Sequence, residues 1–319
     1  MLRGTASHTA LLAGRGELAE WPVDRLNLGV ARSGLIPRSL GAAMVEPTKG
    51  AGVPVPDDRP NPSAAPVCKV RLRFAKRGRL RFASHRDVAR VFERALRRSG
   101  VPMAYSQGFS PHPKISWLGA APTGTASEAE YVELALVREV DLESLRDALN
   151  AGLPADLRVM EVLRAQGGAL AERLTASEWR IGLPGVSPQA LRAAVEALRG
   201  RSEVLVQRRT KSGLREVDVR SALRSMAVFA QLEGDPIDVG ELTLPPIAAA
   251  RGDHRGRYGI LVVVIRHSTP TVRPDDVLSA LRIVAELDVP APAKAVRWAQ
   301  GRLDEAGRIV DPLDPDRVR

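Results

Sequence analysis

From Cys68 onward, hydrophobic and polar residues alternate strictly: Val70, Leu72 and Phe74 interleave with Lys69, Arg71 and Arg73. This is the period-two pattern of a half-buried strand, so it predicts a strand with an apolar side that packs and a basic side that faces out. Gly78 permits a tight turn, after which Leu80 and Phe82 continue the alternation against Arg79 and Arg81. At Ser84 the period lengthens. Ser84 is placed to cap a helix and Asp87, three residues on, to answer its exposed amides. Val88, Val91, Phe92, Ala95 and Leu96 then recur at helical spacing, and Gly100 is placed to end the helix. At about 100° per residue, Arg86, Arg90, Arg94, Arg97 and Arg98 share a stripe of roughly 120° opposite the apolar one.

Further elements follow the same logic. Residues 131–137 read as a strand, 141–151 as a helix carrying Leu142, Leu145 and Leu149, and 157–163 as a strand. The order strand, helix, strand, strand, helix, strand is that of a ferredoxin-like module, an antiparallel sheet with two helices on one face. A second copy is expected from strands at 179–183 and 258–265, helices at 188–198 and 274–287, and a hairpin over Ser212-Gly213. The expected class is therefore α+β, with two tandem ferredoxin-like modules at 67–165 and 177–290. A linker is expected near 165–176 and a flexible tail over 291–319. Residues 1–66, with scattered Gly and Pro and no periodicity, read as a disordered extension. Met44 offers an alternative initiator, so whether that extension is translated stays open.

Composition narrows the function classes. Between Lys69 and Lys114 lie thirteen basic residues and two acidic ones, while the whole chain carries only +10. So localised an excess is the footprint of a surface that meets polyanions, most often nucleic acid, with a solvated basic face as the plain alternative. No apolar run approaches the roughly 20 residues that span a bilayer, and there is no secretory leader, so the expected location is the cytoplasm. The single cysteine, Cys68, excludes an internal disulfide and a self-contained iron–sulfur cluster. No phosphate-binding glycine loop, HExxH or Cys/His cluster is present, and no cofactor or metal is expected.

The chemistry-bearing candidates sit in the basic segment. His85 lies at the strand-to-helix turn, where helix amides favour an anion. His112 lies between Pro111 and Pro113 in the string Gly108-Phe109-Ser110-Pro111-His112-Pro113-Lys114. Two imidazoles with a lysine such as Lys114 could act as acid and base on RNA, although each histidine could equally serve a cap or a turn. Phe109 offers a ring for base stacking. Ser127, Glu128 and Glu130 precede the strand at 131, where carboxylates could hold a base edge, a lysine or a metal, or simply be solvated. Arg208, Arg209 and Lys211 at the second hairpin suggest a weaker anion contact.

The run Arg73-Phe74-Ala75-Lys76-Arg77-Gly78-Arg79-Leu80-Arg81-Phe82-Ala83-Ser84-His85-Arg86-Asp87, with Phe92-Glu93-Arg94-Ala95-Leu96-Arg97-Arg98, resembles the radical-SAM-linked (radical-SAM-associated) family. The 108–114 string and Ser127-Glu128-Ala129-Glu130-Tyr131 continue the resemblance, which covers about 68–290. The resemblance implies a domain of no established reaction. In that family the domain stands alone or is joined to a radical SAM protein with a cobalamin-binding-type domain. Lacking the cysteine triad, this chain would be the stand-alone partner. A looser likeness is to the tandem ferredoxin-like endoribonucleases that process CRISPR transcripts, whose catalytic histidine often follows the first strand, roughly where His85 stands. Their glycine-rich loop is not convincingly present.

The preferred expectation is a partner of a separate radical SAM enzyme that binds RNA, tRNA among the candidates, through Arg71, Arg73, Arg86, Arg90, Arg94, Phe109 and Lys114. The alternatives are a metal-independent endoribonuclease using His85 and His112, and a protein–protein adaptor for the radical SAM enzyme.

Overall fold

The alternation at the start of the chain forms β1 (Cys68–Lys76), and the apolar side chains it presents decide what packs on it. The computed structural model of the protein describes residues 64–107, 110–210, 213–232 and 257–317. Apart from 64–66, the extension expected at 1–66 lies outside the described residues, as do Gly108, Phe109, Lys211 and Ser212. Val70, Leu72 and Phe74 are buried against α1 (His85–Arg98) and α2 (Leu142–Gly152), through Val88, Phe92, Leu145 and Leu149. α1 begins as its sequence dictates. The Ser84 hydroxyl accepts from the Asp87 amide, and Asp87 in turn accepts from Ser84, closing a capping box.

The chain is a mixed α/β protein built on one large, mainly antiparallel sheet. Among the described residues nine strands join in it, in the order β4-β1-β3-β10-β5-β9-β8, with β2 on β3 and β11 on β10. Those strands are β2 (Ile115–Leu118), β3 (Ala126–Leu136), β4 (Val159–Arg164), β5 (Ala176–Leu183), β8 (Leu223–Leu232), β9 (Arg257–Arg266), β10 (Lys294–Leu303) and β11 (Ile309–Val310). Helices α3 (Pro188–Arg199) and α4 (Pro274–Ala285) pack with β5 and β9 in a second apolar cluster. A separate hairpin of β6 (Leu205–Thr210) and β7 (Gly213–Asp218) adds Val206 and Val217 to that cluster.

Three expectations are corrected. First, the described part of the expected tail, 291–317, is not loose: β10 runs antiparallel to β5 and parallel to β3 through Val296 and Arg297. Both neighbours would otherwise carry unpaired backbone groups in the middle of the sheet. The polar composition that suggested a tail reflects side chains that pair with distant partners. Second, residues 165–176 are more than a spacer. A 3-10 turn at Leu170–Arg173 buries Leu170, and with Leu174 and Leu313 it covers Ala129 and Tyr131 on the sheet face opposite α1 and α2. Third, Leu80 and Phe82 do not continue the first strand; Gly78–Phe82 is a 3-10 helix. Gly78 takes a positive φ of 49°, and a Cβ there would lie 2.3 Å from the Asp156 carboxylate, so the chain must turn at a residue without one.

Because β1 lies between β3 and β4 with both its faces covered beyond its first residues, its basic side faces out only at Lys69. Arg71 is 2% exposed, and its Nη1 meets both Asp316 oxygens at 2.7 and 2.9 Å. Its Nε donates to Glu133 at 3.0 Å and Nη2 to the Gly168 carbonyl at 2.7 Å. Asp316 also accepts from Arg173 and the Gln166 amide. Replacing Asp316 by Ala would leave Arg173 without a carboxylate and the buried Arg71 with Glu133 alone, and breaking a buried pair in this way costs about 3–5 kcal/mol. Urea unfolding should register that loss, while Asp314→Ala, which removes an exposed pair with Arg317, should cost less than about 1 kcal/mol.

Candidate functional site

The basic segment divides into two populations once its partners are placed. Lys69, Arg71, Arg73 and Arg77, on and just after β1, are committed to carboxylates from distant parts of the chain. Lys69 meets Glu133 at 2.8 Å, and Arg73 approaches Glu161 at 3.7 Å. Arg77 pairs with Glu128 through Nε and Nη2 at 2.8 and 2.6 Å. Burial alone would raise Glu133, but the Lys69 and Arg71 hydrogen bonds outweigh it and hold the carboxyl below its usual range. Arg71, expected to contact RNA, is thus a structural residue, and Arg73 is half-buried beside Glu161. Glu128, expected on a loop, lies in β3 and is satisfied by Arg77.

The second population is the stripe on α1. Arg86, Arg90, Arg94, Arg97 and Arg98 are all exposed. Arg90 has Asp87 at 3.8 Å and Arg97 has Glu93 at 3.7 Å, contacts of the exposed helical kind that contribute about 0–1 kcal/mol and leave a guanidinium available. Lys114 is exposed beside them in sequence terms only: its backbone amide donates to Ala104 and its carbonyl accepts from Ala135, while its side chain is free to reach solvent. Arg81 lies 4.5 Å from the ring of Phe82, which is 59% exposed.

At the amino end of α1 the structure builds a cleft. Its lining includes Lys76, His85, Trp117, Glu130 and Tyr131, with Phe74 and Val88 behind them. It lies where the outer edge of β3 changes partner. β2 pairs with Tyr131–Leu134 and β10 with Ala126 and Ser127, so the chain leaving β2 at Leu118–Ala121 must diverge over Glu130. The cavity measures about 10 Å³, room for about one water molecule.

Each polar group in the cleft has a physical account. Glu130 is 4% exposed; one oxygen receives Arg297 Nη2 and the other the Ala121 amide at 3.1 Å. Arg297, from the segment expected to be a tail, also reaches the Ser127 hydroxyl at 3.4 Å, and that hydroxyl accepts from the Ala129 amide. Lys76 is 3% exposed, and its ammonium reaches the carbonyls of Ala121 and Pro122 at a long 3.4 Å each. Burial pushes Lys76 below its ordinary 10.5; Glu130 pulls it back up and Arg297 adds to the depression. Burial likewise raises the Tyr131 hydroxyl. The His85 ring stands edge-on to Trp117 at 5.4 Å, and Trp117 packs edge-on to Phe92 at 5.3 Å.

Of the sequence candidates, His85 and Glu130 come together in the cleft, with Ser127 behind them. His112 does not join them: it is exposed, its amide donates to the Ser106 hydroxyl at 3.0 Å, and it is absent from the cleft lining. Pro113 bridges to Tyr105. Ser84 and Asp87 are accounted for by the helix cap. In the second half Arg208 is held by Asp276 at 2.8 Å, which removes it from any anion contact. Ser177 and His267 share a hydrogen bond of 2.8 Å, but Ser177 is 2% exposed and the pair serves as an internal link. The residues that sequence reasoning missed are Lys76, Trp117 and Arg297. Lys76 carried one usable signal, a basic residue at the same alternating phase as the apolar Val70, Leu72 and Phe74.

Among the described residues no three His, Cys, Asp or Glu are grouped to hold a metal, and no helix is long and apolar enough to cross a membrane. The fold and cleft define a mixed α/β protein with a basic helix beside a small polar cleft. Residues 69–274 match a family described as uncharacterized proteins conserved in bacteria (DUF2344), and since the match takes in more than half of the chain, the protein belongs to that family. No curated protein matches it.

The burial of Lys76 has a pH consequence of definite sign. Its folded pKa lies below 10.5, so the native state binds fewer protons than the unfolded chain between those two values, and stability rises with pH across that window. Below it the cost of a buried ammonium is fully present. Lys76→Met removes the cost: denaturant unfolding should show the variant at least as stable as wild type at pH 7, with a smaller gain in stability toward pH 10.5.

Proposed function

We propose that this chain binds RNA, tRNA among the candidates, through the arginine face of α1, and that it works in the cytoplasm as the stand-alone partner of a radical SAM enzyme. The observation that carries the RNA reading is the separation of the basic residues. Lys69, Arg71 and Arg73 of β1 are paired with carboxylates of the same chain, whereas Arg86, Arg90, Arg94, Arg97 and Arg98 remain exposed on one helix face. Such a ridge matches a phosphate backbone, and phosphate contacts fix register and orientation without reading sequence, which suits a protein that positions RNA for another enzyme. The radical SAM partnership rests on the resemblance of the 73–98, 108–114 and 127–131 segments. The architecture suits the same reading: each half has its four strands in the order fourth, first, third, second, which supports two ferredoxin-like modules fused through β3 and β10.

The test is binding of single-stranded and hairpin RNA across a salt series. Five phosphate contacts predict a slope of log affinity on log salt of about −3.5 for a single strand. Arg94→Glu with Arg98→Glu should weaken binding at least about tenfold and flatten the slope by about 1.4. Binding that ignores salt, or that survives the double reversal, would contradict the reading. Intact RNA after incubation with wild type in EDTA removes the nuclease alternative; cleavage abolished by His85→Ala would install it. Co-purification with a radical SAM enzyme and no RNA binding at low salt would favour the adaptor.

A further inference from the structure

The cleft at the start of α1 holds a charge that the fold does not satisfy. Lys76 has three N–H donors, yet among the described residues it meets only two carbonyls, both at 3.4 Å, and no carboxylate pairs with it. Glu130 is nearby, but its two oxygens are taken by Arg297 and the Ala121 amide. An ammonium 97% removed from solvent with one donor free is expensive to keep unless something else uses it. Lys76 lines a cavity, and the first turn of α1 lines it too, through His85 and Val88. The cap uses the Asp87 amide and seats the Asp87 carboxylate at that end, which leaves the His85 and Arg86 amides and the helix dipole to favour an anion there.

We propose that this cleft is a phosphate-monoester site, in which Lys76, His85 and the first turn of α1 take the terminal phosphate of a bound RNA. The assignment rests on the RNA reading above for the chain behind the phosphate, but not for the phosphate itself. Size and depth select the class of ligand. With room for about one water, the cavity admits a single oxygen, and Lys76 is 3% exposed in a cleft that His85 and Trp117 also line. An internal phosphodiester is flanked by sugars on both sides and cannot insert an oxygen that deeply. A terminal monoester projects three oxygens from a chain end and carries nearly two negative charges at neutral pH. The arginine face starts at Arg86, beside His85, so a strand lying along α1 would deliver its end to the cleft.

Ten-nucleotide RNAs of one sequence, ending in a 5′-phosphate, a 3′-phosphate or hydroxyls only, separate the contributions by fluorescence anisotropy. Wild type should prefer one phosphorylated end over the hydroxyl form by at least about fivefold. Lys76→Met should lose that preference while binding the hydroxyl-ended RNA as wild type does, with its melting temperature showing it folded. His85→Ala, an exposed change, should weaken the preference independently. Equal binding of all three RNAs by wild type, or a preference that survives Lys76→Met, overturns the assignment. If wild type binds none of the RNAs, thermal stabilisation by AMP but not adenosine decides the matter. A Lys76-dependent shift keeps the monoester site and sinks the RNA reading; no shift sinks both.

Discussion

The structure depends on β10 filling the space between β3 and β5. A strand in the interior of a sheet must pair on both edges, and neither β3 beyond its β2 partner nor β5 has another strand to supply those bonds. β10 supplies them, and it carries Arg297 into the interior on the same pass. Arg297 then fixes Glu130 and Ser127, which sets the floor of the cleft. The residues that follow β10 go on to place Leu313 against Tyr131 and Asp316 against Arg71. One strand from the end of the chain thus closes the sheet, one wall of the core and the polar floor of the candidate site.

Charge follows from that closure. Thirteen basic residues in 69–114 look alike in sequence, but their surroundings separate them into structural and available groups. On β1, both faces are covered around Arg71 and Arg73, and each is held by a carboxylate: Glu133, Glu161 or Asp316. On α1 one face packs and the other does not, so its guanidiniums meet only weak exposed partners. Lys76 belongs to neither group. It is buried like the strand residues and lacks their carboxylates, which is why it marks a site.

What could be read in the sequence was what local physics determines. The capping box at Ser84 and Asp87, the apolar stripe of α1, and the helices at α2, α3 and α4 all rest on neighbours within four residues, and each is found close to where it was expected. The alternation of β1 was legible as a strand but not as a central one, because alternation between Leu72 and Arg71 looks the same whether the polar face meets water or Asp316, 245 residues away. β10 was illegible for the same reason. It falls in the stretch expected to be a flexible tail, yet its Arg297 and Gln300 are buried and bonded to β3. Of the site, His85 and Glu130 were visible as types; their meeting with Lys76 is a product of the β3 edge, which no local pattern encodes.

Native-state hydrogen exchange of the β10 amides tests this account most directly. If β10 closes the sheet, the amides of Val296 and Trp298 exchange with the same free energy of opening as those of β1 and β9, and all respond together to added denaturant. If β10 is an appendage to a sheet that stands without it, its amides exchange by a separate, much cheaper opening while β1 and β9 stay protected, and the account is wrong.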